Sequence, residues 1–274
     1  MSPPPGGESR TQYLSTNLVG IPTGLLASLA FNAHPRALHI GGARAFNRAL
    51  FRQLDAAPDP AAAGHTFQDY MSVMFALQPE KRPQDADGRR QFRASYLKLL
   101  ADWGFDSNGA AGAVLKGWVE SRFGMFPTFH KAPLTRFTGP DWSTYLMEKM
   151  ASRYHNNSIN VQLDLLYEYC QWYLARFDAD PKPHITLYRG ANRMAEEHVI
   201  AAISRRELIV RLNNLSSFTS RRDIAEQFGD YILEALVPKV KLLFFDALLP
   251  RHPLQGEAEY LVIGGDYRVA RHLL

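Results

Sequence analysis

The chain has 274 residues, 46% of them hydrophobic and 12% aromatic, which is enough apolar material for a buried core and too much for a disordered protein. Its net charge of +4, from 31 basic and 27 acidic side chains, is spread without a basic block or RNA-binding motif, so no nucleic-acid partner is expected. No stretch reaches the roughly 20 apolar residues of a membrane span, "MSPPPGGESR" lacks the charged and apolar regions of a secretory signal, and the one cysteine, Cys170, cannot form an internal disulfide; a cytoplasmic protein is expected.

Residues 1–12 are rich in Pro and Gly and read as a disordered tail. From residue 13 to about 180 the apolar spacing is mostly helical. Phe46, Leu50 and Leu54 fall at i, i+4 and i+8, and Phe67, Tyr70, Met71, Met74 and Phe75 make a second stripe; both are expected to face the core. A third helix is predicted from near Gly88 to Trp103, stopped by Gly104. A fourth runs from Ala110 to about Phe123, ending at Gly124 with Pro127 beyond. Two more are predicted around 142–152 and 161–177. Cys170 lies in the aromatic run "LLYEYCQWYL", where a buried, inert thiol is expected.

After "DADPKP" the pattern changes. "HITLYRG", "RELIVRL", "YILEALV", "KLLFFDA" and "EAEYLVIG" are short, rich in β-branched or aromatic residues, and separated by turn residues, so residues 181–274 should be mainly strands. The expected fold class is α+β: a mainly helical region at 13–180 packed on a C-terminal mixed or antiparallel β core.

Nucleotide-binding glycine loops of the G-x-G-x-x-G and Walker types, G-x-S-x-G, H-E-x-x-H and paired C-x-x-C motifs are all missing, and the nine histidines show no metal-ligand spacing, so no metal is called for. Three features of the C-terminal third remain. In "TLYRG", Arg189 ends an apolar strand where a guanidinium can grip phosphate oxygens, and Gly190 allows close backbone approach. In "LSSFTSRRDIAEQF", Ser217, Thr219 and Ser220 lead from a strand into a helix; they can present hydroxyls to a cleft, or Ser220 can simply be an N-cap with Asp223 three residues on. In "GEAEYLVIG", Glu257 and Glu259 are two apart, which on a strand places them on one face about 7 Å from each other.

In this order, Arg189, the hydroxyl cluster and Glu257-x-Glu259 resemble the Arg-Ser-Glu signature of mono-ADP-ribosyltransferases. "STNLVGIPTGLLASLAFNAHPRALHI", "FQDYMSVMF" and the spacing of the whole chain are further similar to the dinitrogenase reductase ADP-ribosyltransferases, the nitrogenase-regulating family of that group. The resemblance implies an ADP-ribosyltransferase-type β core and transfer of ADP-ribose from NAD to an arginine of the nitrogenase iron protein. It also implies control through a PII-type nitrogen regulatory protein. Arg189 then anchors the NAD phosphates with Gly190 beside it, and Ser217, Thr219 and Ser220 brace the nicotinamide-ribose end. Many relatives have Ser-Thr-Ser where this chain has Phe218-Thr219-Ser220, which displaces the working serine to Ser217. Glu259 matches the glutamate on the nicotinamide ribose. Glu257 matches the residue facing the acceptor, where glutamate accompanies arginine targets. Three readings stay open beside this one: a NAD glycohydrolase, in which water replaces the arginine; a mono-ADP-ribosyltransferase with a different arginine-bearing target; and an inactive member of the fold that only binds NAD or a partner.

Overall fold

The computed structural model describes Leu14 and residues 16–78, 93–151, 153–192, 197–254 and 258–273. The expected tail at 1–12 and Glu257 lie outside the described residues. Among those described, helices fill the N-terminal part: α1 (Thr23–Leu26), α2 (Leu29–Ala33), α3 (Ala43–Phe46), α4 (Arg48–Asp55), α5 (Pro60–Met74), α6 (Tyr96–Phe105), α7 (Ala110–Phe123), α8 (Pro140–Ala151) and α9 (Ile159–Phe177). A two-residue hairpin, β1 (Phe129–His130) and β2 (Ala132–Pro133), interrupts them.

Local chemistry sets most of these boundaries. Asp59 caps α5 by accepting from the Ala62 N–H, with Pro60 in the first turn, and Ser95 caps α6 by accepting from Lys98. Gly124 ends α7 in the left-handed region at φ 75°, where a residue without a Cβ is favoured. Three expectations need correction. The stripe from Phe46 to Leu54 is broken at Asn47, so Phe46 belongs to a separate helical turn and is 89% exposed while Leu50 and Leu54 are buried. In the second stripe Phe67, Met71 and Phe75 are buried, but Met74 points outward. Gly88, the expected start of the third helix, lies outside the described residues; α6 starts after Ser95 and runs through Gly104, where a Cβ would stand 2.3 Å from Leu254 Cδ2, so that glycine makes room for packing and stops nothing.

Helix α9 is buried over most of its length, enclosed by other elements. Its polar side chains are therefore matched by protein partners: Gln162 accepts from the Tyr96 N–H at 3.0 Å, Asp164 accepts from Trp118 Nε1 at 2.7 Å, and Glu168 accepts from the Ile40 N–H at 2.6 Å. Phe67 stacks on Tyr169 of α9 with centroids 4.2 Å apart. The Cys170 thiol beside them is fully buried, and burial pushes its pKa far up, away from thiolate chemistry.

The C-terminal part is a six-stranded antiparallel sheet: β3 (His184–Ala191), β4 (His198–Ala202), β5 (Glu207–Thr219), β6 (Tyr231–Pro238), β7 (Leu242–Phe245) and β8 (Glu259–Leu273), with one short helix, α10 (Arg222–Ala225), after β5. The expected α+β class is the observed one. The strand order is β4-β5-β3-β6-β8-β7, and β8 also pairs with β5, so β5, β3, β6 and β8 form a closed circuit of pairings. Strands β5 and β8 are much longer than their seed motifs suggested, because each pairs with three others: β5 with β3, β4 and β8, and β8 with β5, β6 and β7. Strand β4 escaped the sequence reading: it is exposed along its whole length at the sheet edge, so burial imprints no alternation on it. Helix α9 lies against β7, where Gln171 donates to the Leu242 carbonyl at 2.9 Å and Tyr167 to the Val240 carbonyl at 2.8 Å.

Candidate active site

The strand register gathers the three C-terminal motifs at one level. Tyr188 of β3 lies opposite Thr219 of β5, and Thr219 lies opposite Glu259 of β8. Arg189 follows Tyr188, and Ser217 precedes Thr219 by two residues and so shares its face. Phe218 points the other way and is buried.

These side chains are tied together. The Ser217 hydroxyl donates to Glu259 Oε1 at 2.6 Å, and Trp103 Nε1 of α6 donates to Ser217 Oγ at 2.8 Å. Arg189 donates from Nε to Glu197 Oε1 at 2.8 Å and from Nη1 to the Ser217 carbonyl at 3.0 Å. Glu259 is 5% exposed and Glu197 is also buried, so both carboxylates are held by charge-assisted hydrogen bonds in place of water.

The cluster opens on a cavity of about 400 Å³, whose lining includes Trp103, Asp106, Arg189, Gly190, Ser217, Thr219, Phe228 and Glu259. That volume falls in the range of small-molecule sites, about 300 to 1,000 Å³. The mixture suits a ligand carrying both phosphate and an aromatic base: a guanidinium, a buried carboxylate, a hydroxyl and flanking aromatic rings.

The other sequence candidates fall in different places. Gly190 lines the cavity, but its missing side chain is needed by the protein itself, since a Cβ would stand 2.4 Å from the Ala225 carbonyl oxygen of α10 and 2.9 Å from Phe228 Cβ. Thr219 Oγ1 accepts from the Arg221 N–H at 3.1 Å, and the residue capping α10 is Arg221, not Ser220. Ser220 is exposed, outside the cavity lining, and its hydroxyl bonds the Tyr260 phenol; burial raises that phenol's pKa and the hydrogen bond partly offsets the rise. Glu257 lies outside the described residues. The described part of β8 begins at Glu259, and Ala258 before it has φ 46°.

Two members of the cluster were missed in the sequence. Glu197 stands eight residues after Arg189 in a polar stretch with nothing local to mark it. Trp103 ends an amphipathic pattern; a buried indole N–H needs an acceptor, but the acceptor is 114 residues away. Among the described residues no group of three or more His, Cys, Asp or Glu is arranged to hold a metal, and no helix is long and apolar enough to cross a membrane.

Comparison with known proteins gives two matches. The family described as dinitrogenase reductase ADP-ribosyltransferase matches residues 16–271. A curated relative from Rhodospirillum rubrum, named NAD(+)--dinitrogen-reductase ADP-D-ribosyltransferase, is 57% identical over 258 residues, covering 93% of this chain and 94% of its own. No solved structure matches the chain significantly.

Proposed function

Because the chain belongs to the dinitrogenase reductase ADP-ribosyltransferase family, we propose that it transfers ADP-ribose from NAD to an arginine of the nitrogenase iron protein, dinitrogenase reductase, and so reversibly inactivates nitrogenase. The observation that carries this reading is the joining of Arg189, Ser217 and Glu259 at one cavity, in a chain 57% identical to a relative named for that reaction.

NAD is the substrate, and each residue type has a reason to be there. The Arg189 guanidinium is suited to the pyrophosphate. Glu259, held by Ser217, is suited to the ribose 2′-hydroxyl. The bond from ribose C1′ to the nicotinamide nitrogen breaks with its electron pair leaving on nicotinamide, and the positive charge that develops on the ribose is stabilised by the Glu259 carboxylate. A guanidine nitrogen of the target arginine then bonds to C1′ and gives up a proton. A guanidinium with a pKa above about 12 needs a base for this, and Glu257 is proposed for the role from its place two residues before Glu259.

On this reading the enzyme works in the cytoplasm, where a lone buried Cys170 is in keeping with a reducing compartment. A PII-type nitrogen regulatory protein is proposed as a second partner on the strength of the family resemblance alone. The test is incubation with NAD labelled in its adenylate half and purified nitrogenase iron protein. Label on an iron-protein arginine with matching nicotinamide release is expected. Nicotinamide release without label would make the protein a NAD glycohydrolase, and neither signal would defeat the reading.

A further inference from the structure

We propose that Trp103, on a helix of the N-terminal region, is a positioning residue for the transfer reaction, acting through Ser217 to set Glu259. This rests on the NAD-dependent reading above. The argument comes from the direction of two hydrogen bonds. An indole N–H can only donate, and an ionised carboxylate can only accept. Ser217 Oγ lies 2.8 Å from Trp103 Nε1 and 2.6 Å from Glu259 Oε1, so its hydroxyl must accept from the indole and point its own hydrogen at the carboxylate. A serine hydroxyl otherwise rotates among three staggered positions. With Trp103 in place it has one, and donation into its oxygen also polarises it toward Glu259.

The indole is itself held fast. Trp103 is 3% exposed, sits next to the C-terminal end of α6, and has Lys116 Nζ 6.0 Å from its ring. A tryptophan that served only as core filling would need some acceptor for its N–H; this one uses the hydroxyl that holds Glu259. The helical region therefore supplies part of the active site, beyond any role in meeting the target protein.

The test is Trp103→Phe in the full chain, alone and combined with Ser217→Ala, with nicotinamide release and acceptor labelling measured at matched folding. Loss of one oriented hydrogen bond should lower kcat roughly five- to tenfold while KM for NAD stays within about twofold. In the Ser217→Ala background the same substitution should change kcat by less than about twofold, because the residue through which it acts is gone. Trp103→Leu, which likewise has no donor, serves as a second variant should phenylalanine prevent folding, with the same expected loss. Wild-type kcat in the folded variant, or an equal loss with and without Ser217, would overturn the assignment and leave Trp103 as core packing. A wild-type protein that releases no nicotinamide would overturn the NAD-dependent reading itself, and this assignment with it.

Discussion

Two of the buried glutamates, Glu168 and Glu259, are held in opposite ways. Glu168 sits in the middle of α9 with no exposed side-chain surface, accepting from the Ile40 N–H and pairing with Arg44 and His39, so that it fastens the segment around residues 39–44 to the helix. Glu259 begins β8 and is nearly as buried, but it takes the Ser217 hydroxyl and faces a cavity of about 400 Å³. Burial alone therefore does not mark a functional acid. What separates the two is what the carboxylate faces: Glu168 is enclosed by groups of its own fold, whereas Glu259, bonded by Ser217, lines an open cavity.

Substitution should separate them cleanly. The largest effect is expected at Glu259: Glu259→Gln keeps the shape and removes the charge, so nicotinamide release should fall by a factor on the order of a hundred to a thousand with little change in Tm. Glu257→Gln should instead lose labelling of the acceptor while keeping much of the slow hydrolysis of NAD. If nicotinamide release fell equally in both variants, the division of labour between the two carboxylates would be wrong.

Arg189→Ala comes next. Removing a charged hydrogen bond to phosphate should raise KM for NAD about ten- to a hundredfold. Its partner Glu197 is left buried beside the gap, so some loss of Tm is expected too, and initial-rate kinetics on folded protein isolate the binding effect. Unchanged KM would remove Arg189 from the site.

Glu168→Ala should behave in the reverse manner. Its loss leaves the buried Ile40 N–H without the carboxylate and Arg44 without its counter-ion, at a cost of about 3 kcal/mol, while kcat of the folded fraction stays at the wild-type value. Chemical denaturation together with an activity assay checks both halves. A variant that keeps its stability but loses turnover would break the contrast.

The smallest effect concerns another buried charge that, like Glu168, lies away from the cavity. Lys241 is fully buried, donates to the Gly264 carbonyl at 3.2 Å, and has its pKa lowered from 10.5 to about 7, chiefly by desolvation and partly offset by Asp266. Below pH 7 the folded protein must carry this charge inside, and the penalty is complete. Between pH 7 and 10.5 the unfolded chain still binds the proton that the folded protein has released, so the penalty shrinks as pH rises. Lys241→Met should thus stabilise by about 1 to 2 kcal/mol at pH 6, with a smaller gain at pH 9. Tm measured for both proteins at the two pH values tests this, and a gain that grew with pH would contradict it.

The elements that were legible in the sequence are those whose signals are local. Helix α7 runs from Ala110 to Phe123 as its apolar residues and Gly124 require, and the five strand motifs of the last third all lie in or run into strands, since side-chain alternation and turn chemistry act over a few residues. The order of Arg189, Ser217 and Glu259 could be read in the same way, as types of residue at strand ends. The failures occur where a distant partner decides. Phe46 faces solvent because the helix breaks at Asn47, and Gly104 admits Leu254 from 150 residues further along the chain. Only strand pairing sets Thr219 between Tyr188 and Glu259, and only the tertiary fold brings the Trp103 indole of α6 to Ser217 of β5. Local propensity carries no term for contacts between residues far apart in the chain; these follow from the one arrangement in which both the apolar faces and the buried polar groups find partners.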